Sequence, residues 1–345
     1  MNTKTIQQVR NISPSVSSWR IVQSLMFIVG GFILYLLFFE PSLGILLLWN
    51  FIVPIAPVLV LLFPGLWRNI CPMGIVSLLP RHAKLSNRKT IKQSTTAILN
   101  LMGIIALYVI VPLRHTLFNL DGIATGTLII SLAIVGFILG LRYEWKSAWC
   151  SGICPVHPVE QLYGSHPVMT FNNMHCSICT NCTVPCPDST PHFHPGISHK
   201  HWIFSINQVF ITGGLPGFIW GWFQVPDITN STILSVYIMP FSGLTLSIAI
   251  YLFLTNTFPL RKNLINEIFA TAGITLYYWH RIPSLFGFGI FPSDGILINL
   301  SHTISSAFVL TLQILVCAFF IYWILIRDNN KSSWLQRPKL RTHHQ

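Results

Sequence analysis

The sequence predicts an all-α membrane protein of about eight transmembrane helices with a small cysteine-rich loop on the cytoplasmic side. Three observations predict it. Of 345 residues, 52% are hydrophobic and only 9% are charged, too few to cover the surface of a soluble fold. The apolar residues fall in runs of about 20, the length a helix needs to cross roughly 30 Å of hydrocarbon. The basic residues cluster in alternate connecting segments, the asymmetry that orients membrane helices.

The first run, Ile21 to Phe39, follows Lys4, Arg10 and Arg20 and precedes "EPSLG". It is too long for a signal-peptide core and lacks a small-residue cleavage site, so it reads as an uncleaved span. Hydropathy places further spans at 43–63, 94–112, 124–141, 203–223, 233–255, 264–280 and 298–325. The run 203–223 is the weakest, because Asn207, Gln208, Gly213, Gly214 and Pro216 interrupt it, as in a re-entrant or broken segment.

Charge decides in favour of a full span there. With eight spans and the amino end inside, Arg114 and Arg281 are the two of 21 basic residues that face outward. Without 203–223 as a span, Arg261, Lys262 and the basic tail would lie outside. Both termini are therefore expected in the cytoplasm of a cell whose inner membrane holds the chain. The net charge of +12 is accounted for by an anionic inner leaflet and requires no nucleic-acid partner.

This topology divides the chain into a first four-helix membrane region with a Cys71 turn (1–141), a cytoplasmic segment (142–202), a second four-helix region (203–326) and a basic tail (327–345). Seven of the eight cysteines, Cys71, Cys150, Cys154, Cys176, Cys179, Cys182 and Cys186, fall on the cytoplasmic side. Cys317 lies mid-span among "ILVCAFF" and reads as a packing residue. Clustered thiols in a reducing compartment point to a metal rather than to disulfides.

The stretch "HCSICTNCTVPCPDS" has the spacing C-x2-C-x2-C-x3-C-P, the bacterial ferredoxin run. Zinc would instead favour two separated ligand pairs. In two-cluster ferredoxins the cysteine before proline serves the other cluster, which sends Cys186 in search of partners. Two further cysteine–proline pairs are available: Cys71–Pro72 in "WRNICPMG", and Cys150 with Cys154–Pro155 in "WCSGICPVHP". Each follows the expected inner end of an even-numbered span, so two hairpins would deliver similar turns to the same surface.

On the strength of "CSGICP" at 150–155 and the run from Cys176 to Pro187, the chain resembles the membrane-bound polyferredoxins of the NapH, MauN and NosR type, which are 4Fe–4S binding integral membrane proteins. The resemblance covers roughly residues 20–190. It implies a ferredoxin-like iron–sulfur loop, with C-x3-C-P turns at cytoplasmic helix ends. This chain departs from the pattern in having Trp67 where a first such turn would place a cysteine, and in having one ferredoxin run.

Seven thiolates fall one short of two complete clusters. Three arrangements stay open. Cys176, Cys179 and Cys182 with one remote cysteine can form a complete [4Fe–4S] site, with Cys186 and the remaining two forming a site one ligand short. Alternatively Cys71, Cys150, Cys154 and Cys186 form the complete site. In the third arrangement a single cluster exists. His157, His175 and Asp188 are candidates for a non-cysteine ligand. His192, His194, His199 and His201 read as surface residues beside the loop, with metal binding as the alternative.

In the second half, His280 and His302 are candidates for haem b or quinone binding near the outer face, where His115 is also expected. The competing reading makes Tyr277, Tyr278, Trp279 and His280 an aromatic belt at the membrane boundary. The whole reads as an electron carrier or oxidoreductase subunit holding one or two iron–sulfur clusters, with no catalytic side chain. It would pass electrons between a quinone or membrane redox enzyme and a soluble donor or acceptor. The alternative is an accessory protein that matures or regulates a membrane redox enzyme.

Overall fold

A computed structural model describes residues 10–12, 16–89, 91–143, 147–164, 167–171, 202–227, 233–292 and 294–327. Among the described residues the regular structure is helical apart from a short parallel pair, β1 (Arg10–Ile12) and β2 (Met169–Phe171), in the register Arg10 to Met169, and an isolated bridge between Lys89 and Tyr143. The helices are α1 (Val16–Phe39), α2 (Pro41–Leu62), α3 (Pro64–Ile70), α4 (Pro72–His82), α5 (Gln93–Leu113), α6 (Gly122–Arg142), α7 (His157–Tyr163), α8 (Trp202–Trp222), α9 (Ser235–Thr257), α10 (Lys262–Leu285) and α11 (Ser306–Ile326).

Seven of these, α1, α2, α5 with its continuation to Phe118, α6, α8, α9 and α11, are long and apolar enough to cross a membrane. Only 11% to 22% of the most apolar stretch is buried in α1, α2, α6, α9 and α11. Their exposed Ile21, Phe32, Ile134, Leu246 and Leu315 match a lipid-facing surface.

The stretch 203–223 is neither broken nor re-entrant: it forms the continuous helix α8, and 61% of it is buried. Its low hydropathy follows from that central position. Asn207 donates to Ala97 O (3.2 Å) and Gln208 to the Tyr251 hydroxyl (3.2 Å), and a wide π turn over Val209–Gly214 keeps the helix running past its glycines. Gly217 and Gly221 then let the backbone of α9 approach closely, and Gly213, one turn earlier, makes room for the Tyr251 side chain. Gly217 and Gly243 face each other so closely that a methyl on either would run into the other's carbonyl.

The seventh expected span, 264–280, forms the 24-residue helix α10 but is not among the seven apolar helices. Its polar residues are sheltered by packing: Asn266, Thr271 and Arg281 are buried along one face with Ile265, Phe269, Ile274 and Tyr278. Tyr278 stacks on Phe320 of α11 (5.1 Å) and donates to Pro54 O of α2 (2.6 Å), so α10 belongs to the main core. The last expected span, 298–325, is shortened because 298–305 lie before α11.

Two segments depart from the expected hairpins. After α2 the chain does not leave the bundle but runs through α3 and α4, joined at Cys71. Residues 147–164, expected in an aqueous loop, also pack between helices. Both are accommodated by glycines: Gly140 of α6 lies against Ser77 O of α4, Gly136 of α6 against the Trp149 ring, and Gly103 of α5 against Ile153 O.

Candidate metal centre

Cys176, Cys179, Cys182 and Cys186 lie outside the described residues, as do His175, Asp188, His192, His194, His199 and His201. Cys71, Cys150 and Cys154 lie within them, on two turns of the same design. The residue before proline is driven out of the α region by the clash with proline Cδ. Cys71 accordingly has φ −58° and ψ 118°, and Cys154 has φ −58° and ψ 119°. Each backbone N–H donates to a tryptophan carbonyl, Cys71 to Trp67 O and Cys154 to Trp149 O, both at 3.0 Å.

The repeat is thus set by Trp and Ile-Cys-Pro, and the second copy is one residue longer. Its extra residue is absorbed by a π turn, Trp149–Ile153, in which Ile153 N donates to Ala148 O (3.1 Å). Trp67 therefore corresponds to Trp149, and Cys150, Ser151 and Gly152 stand where the first turn has Arg68 and Asn69.

The turns meet although more than 70 residues separate them. A methyl placed on Gly74 would stand 3.7 Å from Cys150 Sγ and 3.8 Å from Cys71 Cβ. Cys71 and Cys154 lie within electrostatic reach of each other. Burial, then the neighbouring Cys71, pushes the Cys154 thiol up to about 12, opposed by backbone N–H groups of Val156 and His157 that donate to its sulfur. Cys71, Cys150 and Cys154 form no disulfide. Among the described residues no three His, Cys, Asp or Glu side chains form a group that could hold a metal ion.

Around the turns lies a polar support that hydropathy and cysteine spacing do not reveal. Arg68, three residues before Cys71, pairs through Nε with Glu160 Oε1, and both side chains are only 7% exposed. His157 Nδ1 stands 3.5 Å from the other carboxylate oxygen. Burial alone would raise the Glu160 carboxyl, but Arg68 and the His157 contact more than offset it and hold it below the usual range. Asn69 donates to Gly65 O (2.8 Å), and Gln23 of α1 donates to Asn69 O (3.0 Å). The signal was present in the sequence: an arginine and a glutamate beside two Cys-Pro turns, in a chain with nine acidic residues.

At the opposite side of the core, Arg114 and Arg281 come together at one end of the bundle, the end that the charge pattern assigns to the outside. Arg114 lies over Trp49 (4.1 Å), and Arg281 donates to Trp49 O (2.8 Å) and Asn50 Oδ1 (2.7 Å). His115 is buried there, its Nδ1 2.7 Å from Asp227 Oδ1 and its Nε2 3.1 Å from Trp222 O.

His280 stacks on Phe223 (5.1 Å) and lines two cavities. One, of about 40 Å³, is polar and includes His115, Asp227, Arg281 and Asp294. The other, of about 330 Å³, lies between α10 and α11 and includes Trp279, Pro283, Phe288, Val309 and Gln313. His302 is exposed and lines neither, so the structure does not bring the two candidate histidines to one cavity. Cys317 contacts Thr275 O (3.7 Å) between α11 and α10 and lies away from the other described thiols.

Comparison of the chain with protein-family models, with curated proteins and with solved structures gives no match.

Proposed function

We propose that this chain is an integral membrane iron–sulfur electron-transfer protein of the polyferredoxin type. The observation that carries this reading is the meeting of the two Trp-anchored Ile-Cys-Pro turns, remote in sequence and alike in backbone, in a chain whose sequence also holds a run of ferredoxin cysteine spacing. The donor set at the turns suits a thiolate-ligated iron group. Cys154 accepts two backbone N–H groups, the kind of hydrogen bond that tunes such sulfurs.

In this reading Cys71, Cys150 and Cys154 supply thiolates, and the cysteines of 176–186 supply the rest, for one or two clusters of which at least one is [4Fe–4S]. The bound group would supply one-electron redox chemistry. Arg68, Glu160 and His157 fix the two turns against each other. Helix α10 is the eighth span, which puts both termini in the cytoplasm of a cell with its inner membrane around the bundle. The cavity beside His280 is the place for a quinone partner, since it is mostly apolar and carries the polar groups of His280 and Gln313.

The test is anaerobic purification with iron and sulfide counting and EPR of the reduced protein. We expect about four to eight irons per chain with matching sulfide. Zinc in place of iron would refute the reading.

A further inference from the structure

Lys84 and Arg88 have φ values of 60° and 52°, in the left-handed region that a Cβ makes costly. The other described residues with positive φ, Gly287 and Gly295, are glycines, the residue such backbone ordinarily takes. At the basic end of the bundle the chain carries a lysine and an arginine in the same conformation.

Hydrogen bonds hold the backbone there in place. Helix α4 ends in a left-handed cap, in which Leu85 N donates to Pro80 O (2.8 Å) and Lys84 N to Arg81 O (3.2 Å). The chain then crosses the end of α6. Asn87 N donates to Leu141 O (2.7 Å), Lys89 N to Arg142 O (3.1 Å) and Ser86 Oγ to Tyr143 O (3.3 Å), so the last carbonyls of α6 are used. Arg88 N donates to Ser86 Oγ (3.3 Å), and Ile91 is buried beyond it. Glycine at 84 and 88 would satisfy the same bonds without strain. Strain retained at two exposed positions points to a use for their side chains.

The surface they share is cationic. Lys84, Arg88, Lys89, Lys92 and Arg142 are exposed, and among the described residues no carboxylate pairs with any of them. His82 lies within electrostatic reach of Arg20 and Arg81, which brings the start of α1 to the same patch. Apolar side chains stand among these charges. Leu85 follows the left-handed residue of the cap, a place whose side chain commonly packs back on its own helix, yet it is 62% exposed. Leu79 of α4 is exposed as well.

The patch also lies where apolar helices end. Lys92 precedes the apolar stretch that begins at Ser94, and Arg142 closes the one that begins at Gly122. Cations at that level meet lipid headgroups, and exposed leucines beside them meet acyl chains. An acidic soluble protein would answer the cations but gives no reason for leucines at the membrane boundary.

We propose that Lys84 and Arg88, with Lys89 and Arg142 beside them, hold the phosphodiester of an anionic phospholipid, whose acyl chains lie against Leu79 and Leu85. This is a discrete site, in contrast to the diffuse attraction of basic loops to an anionic leaflet. It holds whether or not the thiols bind iron.

The experiment is native mass spectrometry of the full chain, delipidated in neutral detergent and titrated with phosphatidylglycerol or phosphatidylcholine. Phosphatidylglycerol should be retained at a concentration at least about tenfold lower than phosphatidylcholine. Lys84→Gly with Arg88→Gly should weaken phosphatidylglycerol binding at least about tenfold, since each cation near a lipid surface contributes roughly 1 kcal/mol. The same variant, free of lipid, should melt at or above the parent temperature, because the backbone strain is relieved. Lys84→Gln with Arg88→Gln keeps the strained backbone and should lose binding equally, which decides the matter if the glycine pair cannot be purified. Arg261→Gln with Lys262→Gln removes two exposed cations from the link before α10 and should change binding less than about twofold.

An equal loss in the Arg261 and Lys262 pair overturns the proposal in favour of diffuse charge. Undiminished binding by the Lys84 and Arg88 variants overturns it outright, and a glycine pair that melts below the parent removes the strain on which it rests. Displacement of the lipid by inorganic phosphate would assign the patch to a free anion, and tighter binding of polyglutamate than of phosphatidylglycerol would assign it to an acidic protein.

Discussion

The buried Arg68–Glu160 pair offers the sharpest test of how the two turns are held together. Replacing Arg68 with Met keeps most of the volume and leaves the Glu160 carboxylate, among the described residues, with His157 at 3.5 Å. Both side chains of the pair are 7% exposed, so solvent does not screen the loss. Removing one partner of such a pair costs about 3–5 kcal/mol, because an uncompensated charge stays buried. At roughly 2 °C per kcal/mol for a chain of this size, the melting temperature in detergent should fall by about 6–10 °C. The double variant, Arg68→Met with Glu160→Gln, leaves no stranded charge and should recover most of that loss. A double variant no better than the single one would refute the assignment of this pair as the clamp between the turns.

Three further outcomes follow from the packing. Gly217→Leu puts a side chain where Gly243 O already stands, so α8 and α9 must separate; we expect a cost at or above about 3 kcal/mol and loss of the monodisperse peak in fluorescence-detected gel filtration. Gly103→Val displaces Ile153 and Cys154 without touching a thiol, and should lower bound iron while the chain still inserts into membranes, as measured by metal analysis of carbonate-washed vesicles. Val309→Trp fills the cavity of about 330 Å³ beside His280, and should abolish reduction by a short-chain quinol while the iron content stays unchanged.

Much of the helical framework was legible from apolar run length, since the runs at 21–39, 43–63, 124–141 and 233–255 all coincide with helices in the described residues. The span 203–223 was weak for a reason the sequence hides. Asn207 and Gln208 read as interruptions of a membrane helix, whereas α8 buries them against neighbours that satisfy them. Arg281, expected just outside its span, instead lies within α10 and bonds Asn50. The return of the chain into the bundle through α3 and α4 was missed because these helices continue the apolar character of α2. Their local signs were Pro64 and Pro72, each at a first helical position and so each the start of a new, short helix. The likeness of the two Ile-Cys-Pro stretches was visible. That Trp149 rather than Cys150 matches Trp67 was not, because a π turn changes the count between equivalent residues.

That shift in register bears on how the thiols are shared. Counted back from proline, Cys150 replaces Trp67 and the first turn appears to have lost a ligand. Matched by hydrogen bond, nothing is lost from the first turn: both copies keep Trp, Ile, Cys and Pro, and the second has three residues, Cys150 among them, where the first has two. The gained thiol does not point to an independent place, because it stands beside Gly74, where Cys71 Cβ also lies. Cys71 and Cys154 lie within electrostatic reach of each other. Among the described residues these thiols do not by themselves make a group that could hold a metal ion. In the proposed reading the cysteines of 176–186 would therefore have to supply the further thiolates.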